Sequence, residues 1–146
     1  MAKKTFSLDE AHTMLPVLRS LLQRGMDAKK QIEDIEAEFQ AVQHQVLLKG
    51  GCELDIVKLA RRRAESDKAV QTVKDTLAEI DATGAQVKDL DIGLLDFPCS
   101  VDGEIVLLCW KIDETKITHW HGTDEGFANR KPIDERIARA KGSKPN

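Results

Sequence analysis

The chain has 146 residues, of which 41% are apolar and 32% charged, and its formal net charge is −3. That length suits one domain with its own hydrophobic core, and the charge excludes a broadly basic surface for nucleic acid. We therefore expect a single domain over residues 1–146. The sequence shows no signal peptide and no membrane-spanning apolar run. The 3 cysteines have no zinc-ribbon spacing, which is typical of free thiols. We expect a cytoplasmic protein without membrane or nucleic-acid partners.

The N-terminal segment predicts a short helix that begins at Leu8. Ser7 and Glu10 have the spacing of a capping box, in which each side chain bonds the backbone N–H of the other residue. Pro16 lacks an N–H and disfavours the helical conformation of the residue before it. We therefore expect the first helix to stop there and a new helix to begin at Pro16, because proline is favoured at the first helical position.

Residues 1–84 as a whole predict a long antiparallel helical hairpin. The first long helix is expected to end near Gly50 and Gly51, and the second to run from about 53–55 to Gly84. Each helix carries one narrow apolar stripe with spacings of three and four residues, which in the first helix comprises Ile32, Ile35, Phe39, Val42 and Val46. Two helices with narrow stripes leave little core, so we expect a homodimer.

Residues 85–133 predict a small antiparallel β-meander of three to four strands, which makes the fold class α+β. Strands are expected over 86–90, 93–97, 105–112 and 116–121, with the continuous apolar run 105–112 at the centre. The connections are too short for crossover helices, so the strands should be antiparallel. Residues 134–146 form a C-terminal tail with a helical turn.

Two histidines and an acid in this meander predict a candidate zinc site. His119 and His121 lie two residues apart on a strand and therefore share a face, and Asp124 or Glu125 on the following loop can supply a third ligand. The alternative is that both histidines are half-exposed and bonded only to their neighbours. The spacing alone favours this alternative.

Cys109 joins this site in only one strand register. If a two-residue loop connects the strands, Leu108 opposes His119 and Cys109 faces away; with a three-residue loop, Cys109 opposes His119 directly. The sequence leaves both registers open.

Two further groups can carry chemistry. Asp89, Asp91 and Asp96 can bind a divalent cation or transfer protons, although aspartates are also common in turns. Arg130 can bind a carboxylate or phosphate from a loop anchored by Phe127. In the alternative interpretation, Phe127 fills the core and Arg130 pairs with one of the many acids.

Several blocks of the sequence resemble a bacterial family, domain of unknown function 2203. The N-terminal block is 5–11 with Leu15 and Pro16, and the longer one is 87–98. The likeness continues through Cys109-Trp110 and Trp120-His121 to the segment 124–132. The resemblance implies a cytoplasmic bacterial protein and implies no activity. It places Asp96, Cys109, His121, Asp124 and Arg130, but not His119, in the shared motif. The resemblance thus favours a ligand site built from Asp96, His121, Asp124 and Arg130, with Cys109 as a further candidate.

Two functions are compatible with these features. The first is a cytoplasmic binding or interaction module that self-associates through its hairpin and presents polar loops to a protein or small molecule. The second is a small metal-binding protein or hydrolase-like enzyme with a site around His121, Asp124 and Arg130. Whether the chain is an enzyme stays undecided at this stage.

Overall fold

The computed structural model describes residues 4–50 and 54–140. Two long helices precede a sheet, which confirms the predicted α+β class. The elements in chain order are α1 (Leu8–Lys49), α2 (Ile56–Thr83), β1 (Gln86–Asp89), β2 (Leu94–Val101), β3 (Glu104–Lys111), β4 (His119–Gly122), a 3₁₀ turn (Phe127–Asn129), β5 (Lys131–Pro132) and α3 (Glu135–Arg139). The short helix α3 agrees with the helical turn expected in the tail.

Helix α1 is continuous for 42 residues and passes through Pro16, so the predicted break there is wrong. The capping box at Ser7 and Glu10 is present, as predicted. A proline inside a helix costs about 3 kcal/mol. Leu15 and Leu18 flank it and are 5% and 0% exposed, and burial of each contributes about 1.5–3 kcal/mol. Core packing on both sides of Pro16 therefore outweighs the local cost.

Helices α1 and α2 form the predicted hairpin. Gly50 ends α1 in the left-handed conformation, and the Asp55 side chain begins α2 by accepting a hydrogen bond from the N–H of Lys58. The helices approach closely at Gly25, where a Cβ would lie 2.9 Å from the Thr76 Oγ1. The expected turn residue Gly51 and the thiol Cys52 lie outside the described residues.

The sheet has five antiparallel strands in the order β1-β2-β3-β4-β5, one more than the expected maximum. The additional strand is the two-residue β5, which no periodic pattern marks. Strand β3 is central, as predicted. One face of the sheet packs on the helices and forms the main core, which includes Phe6, Leu18, Leu22, Ile80, Leu95, Phe97, Leu108 and Trp110.

The connection between β3 and β4 is anchored on helix α1. The Arg19 guanidinium stacks on the Trp110 ring at 5.0 Å and donates hydrogen bonds to the backbone carbonyls of Ile112 and Glu114. The Ile117 N–H donates to the His12 Nε2 at 3.0 Å. Because this N–H bonds to α1, β4 begins only at His119 and is shorter than the predicted strand 116–121.

We predict that Gly93→Ala destabilises the protein more than Gly103→Ala. Both glycines have positive φ, 72° and 83°, which costs other residues about 1–2 kcal/mol. A Cβ at Gly93 would also lie 2.6 Å from the Ile112 side chain, whereas none of the described atoms lies within 4 Å of a Cβ at Gly103. Overpacking adds about 1–3 kcal/mol at Gly93 only. Urea unfolding measures both losses, and equal losses would contradict the packing described.

Candidate functional site

Three adjacent strands bring Asp96, Cys109 and His121 together on the sheet face that points away from the hairpin. Asp96 on β2 pairs with Cys109 on β3, and Cys109 pairs with His119 on β4. Directly paired residues project to the same side of a sheet, and His121 follows His119 by one period of two. The structure thus has the register in which Cys109 opposes His119, although the connection spans residues 112–118.

Asp96 and His121 form a buried pair, with 1% and 3% of their surfaces exposed. The His121 Nε2 lies 3.1 Å from both carboxylate oxygens of Asp96, and its Nδ1 lies 2.8 Å from the Gly122 carbonyl oxygen. Because that carbonyl can only accept, Nδ1 carries a hydrogen. Burial raises the pKa of Asp96, while the adjacent His121 opposes the rise.

Cys109 lies between this pair and Arg130, and its side chain is fully buried. Its thiol is close enough to the Asp96 carboxylate and to the Arg130 guanidinium to interact electrostatically with both. Burial, together with the negative charge of Asp96, raises the pKa of the Cys109 thiol to about 11, although Arg130 opposes the shift. The thiol is therefore protonated at neutral pH, and on its own it is a poor nucleophile.

Arg130 approaches the cluster from the segment after β4 and is fixed by Glu114. Its Nη1 donates to the Glu114 Oε1 at 3.2 Å, and its guanidinium stacks on Phe127 at 4.4 Å. Burial acts to lower the pKa of Arg130, but the bond to Glu114 raises it. Phe127 is 38% exposed, so it does not fill the core. Glu114 was not among the predicted site residues, because no spacing in the sequence relates it to residue 130.

The other predicted ligands lie apart from this cluster. Asp96, Cys109 and His121 have possible metal-ligand atoms that all lie within 4.8 Å of one another. Among the described residues, no other three His, Cys, Asp or Glu side chains form such a group. His119 shares their face, but its Nδ1 bonds to the Thr118 hydroxyl at 2.8 Å. Asp124 is exposed in the turn after β4.

The acids before β2 have the geometry of a turn. The Asp91 N–H donates to the Asp89 Oδ1 at 2.9 Å, and the Asp91 carboxylate pairs with Lys29 of α1. Asp96 points elsewhere, into the cluster with His121. This arrangement matches the turn interpretation of Asp89 and Asp91.

A second candidate surface is the hairpin tip, which we define as residues 39–48 of α1 and 54–60 of α2. None of its residues is buried. The exposed fractions of Leu47, Leu48, Ile56 and Val57 range from 62% to 77%. Exposed apolar residues that cluster in this way mark interaction surfaces.

Two features thus define the class of protein. The fold is a helical hairpin joined to an antiparallel sheet, and the outer face of that sheet carries a buried Asp–Cys–His cluster. The chain belongs to DUF2203, a family described as an uncharacterised conserved protein, whose model matches residues 4–133. No curated protein and no solved structure matches the chain. Within the described part of the chain, no helix is long and apolar enough to cross a membrane.

We predict that His121→Ala lowers the free energy of unfolding by about 3–5 kcal/mol, because it leaves Asp96 as a buried charge without its partner. The double variant Asp96→Ala/His121→Ala should lose less than the sum of the single losses, since the two residues are in contact. Urea unfolding of the single and double variants measures this coupling.

The matched control is Lys131→Ala, which removes an exposed ion pair with Glu125. Such pairs contribute about 0–1 kcal/mol. Two results would contradict the importance of this buried contact. One is a double variant whose loss of unfolding free energy equals the sum of the single losses, and the other is a loss at Lys131 as large as the loss at His121.

Proposed function

We propose that the protein is an interaction module that forms a homodimer through its hairpin tip. The observation that carries this proposal is the exposure of the apolar tip, where, among the residues that the structure describes, α1 and α2 pack only against each other. The last contact that we describe between α1 and the sheet is the ion pair of Lys29 with Asp91. Helix α1 continues from there to Lys49, about 30 Å further at 1.5 Å per residue. A second copy would cover this length.

The charges of the hairpin favour a second copy as the occupant. Residues 39–48 contain no Asp, Glu, Lys or Arg, so the α1 segment at the centre of the surface is neutral. On either side of it, residues 33–38 of α1 carry four acids and no base, and residues 58–63 of α2, the first three of which belong to the tip, carry four bases and no acid. An interface with two-fold symmetry must be complementary to itself, and a surface with a neutral centre and charges of both signs meets that condition.

Few of these charges are paired within the described residues of one chain. Arg62 donates to Glu38 at 2.7 and 2.8 Å, and this hydrogen bond lowers the pKa of Glu38. The ion pair that we describe for Arg63 is with the exposed Asp67, at 3.7 Å. Two copies of the hairpin would place four helices together and close an apolar core between them, which a single pair of helices with narrow stripes does not do.

The dimer would present the polar loops of the sheet at its ends. The segment that carries Phe127 and Arg130 is the most exposed part of the candidate site, and a further protein or small-molecule partner would bind there. Arg130 is held in place by Glu114, so its guanidinium is oriented before a partner arrives.

We expect the wild-type protein to sediment as a dimer and a triple tip variant, Leu47→Ser/Leu48→Ser/Ile56→Ser, to sediment as a monomer. These side chains make little contact within the chain, so their loss removes the interface without unfolding the protein. Sedimentation velocity over a wide concentration range measures the oligomeric state, and circular dichroism checks the helix content.

The control is a second triple variant, Val17→Ser/Ile92→Ser/Ile105→Ser, which replaces exposed apolar residues outside the tip, with exposed fractions of 55%, 39% and 45%. This variant should remain dimeric. A monomeric wild-type protein, or a dimer that both variants leave intact, would overturn the proposal.

A further inference from the structure

The buried cluster combines the three ligand types that zinc prefers. Asp96, Cys109 and His121 offer an oxygen, a sulfur and a nitrogen, and their ligand atoms lie within 4.8 Å of one another. Zinc bonds of about 2.0–2.3 Å place the ligands of a tetrahedral site about 3.3–3.8 Å apart. The widest separation in the group therefore needs to shrink by about 1–1.5 Å at most to bring the three atoms around one ion.

The histidine is already oriented as a metal ligand. Its Nδ1–H donates to the Gly122 carbonyl at 2.8 Å, and its Nε2 points at the Asp96 carboxylate. Histidines that bind metals commonly donate their second ring N–H to a backbone carbonyl in this way, which fixes the ring and leaves the other nitrogen free for the ion.

The charges of the cluster also suit a divalent ion. When a divalent ion binds, the Cys109 thiol loses its proton to solvent, as does any proton held between Nε2 and Asp96. Bonds from nitrogen, oxygen and sulfur to the metal form in their place. The two negative ligands then neutralise the ion, while Arg130 stays paired with Glu114.

We propose that Asp96, Cys109 and His121 bind one zinc-class divalent metal ion on the outer face of the sheet. This site replaces the ligand set His119, His121 and Asp124 that the sequence suggests, with only His121 in common. Three protein ligands leave one of four tetrahedral positions for a water molecule.

Cys99 provides a matched control for Cys109. Both cysteines are fully buried, and burial raises the pKa of each thiol to about 11. Cys99 belongs to the main core between sheet and helices, and it is not part of the ligand group. A cysteine-to-serine change at either position perturbs a buried site, but only the change at Cys109 removes a proposed ligand.

The experiment uses cobalt as the probe, because it binds the same tetrahedral sites as zinc and absorbs in the near ultraviolet when a thiolate is bound. The full chain is purified without a histidine tag. Because the site is closed, cobalt is added both to native protein and during refolding. We expect one cobalt ion per chain and a thiolate charge-transfer band in the wild type and in Cys99→Ser. Cys109→Ser should lose the band.

Two further variants keep the test decisive if Cys109→Ser folds poorly. His121→Asn should lose cobalt, whereas His119→Ala should bind it as the wild type does. Zinc should raise the thermal unfolding midpoint of the proteins that bind cobalt and of no others. Refolded wild type without a thiolate band, or a band that survives in Cys109→Ser, would overturn the proposal. Loss of the band in both control variants, Cys99→Ser and His119→Ala, would also overturn it, because neither residue is a proposed ligand.

Discussion

The pairing of Cys109 with His119 determines which side chains the sheet buries on its outer face. Strand β3 is also paired with β2, so a shift of one residue between β3 and β4 would turn His121 inward toward the helices and Trp120 outward. The connection from 112 to 118 sets this register. It is held by Trp110, whose indole N–H donates to the Glu114 carbonyl at 2.9 Å, and by His12 and Arg19 of α1. The N-terminal half of α1 therefore helps to specify the candidate site.

The two faces of the sheet are buried for different reasons. The face toward the helices is apolar, and its burial contributes to stability in proportion to the apolar area removed from water. The outer face buries a carboxylate, an imidazole and a thiol, whose removal from water is costly even when they are paired. Buried ion pairs are often no more stabilising than apolar residues of the same volume. A fold that needed only stability would thus gain little from Asp96 and His121, which is why we attribute a ligand to them.

The spacing of apolar residues and the local capping and turn patterns predicted the regular helices and strands. The hairpin, its Gly50 end, the capping box and the central strand β3 were all predicted, because each depends on residues near in sequence. The helix break predicted at Pro16 was wrong, because the helix is stabilised there by contacts of Leu15 and Leu18 with residues far away in the sequence. Strand β4 was predicted too long, because the bond from Ile117 to His12 joins residues far apart in the chain. The shared motif named four residues that meet in the site, but no local pattern indicated Glu114.

Helix α1 connects the two proposed activities without coupling them. It is helical throughout from Leu8 to Lys49, so His12, Arg19 and the tip belong to one continuous rod. Coupling between two sites requires an element with two arrangements that both ligands bias. A helix that stays intact through Pro16 offers one arrangement, and the cluster lies on the sheet face opposite the one that packs on α1. We therefore expect the proposed self-association at the tip and the proposed metal binding at the cluster to be independent, so that the loss of one leaves the affinity of the other unchanged.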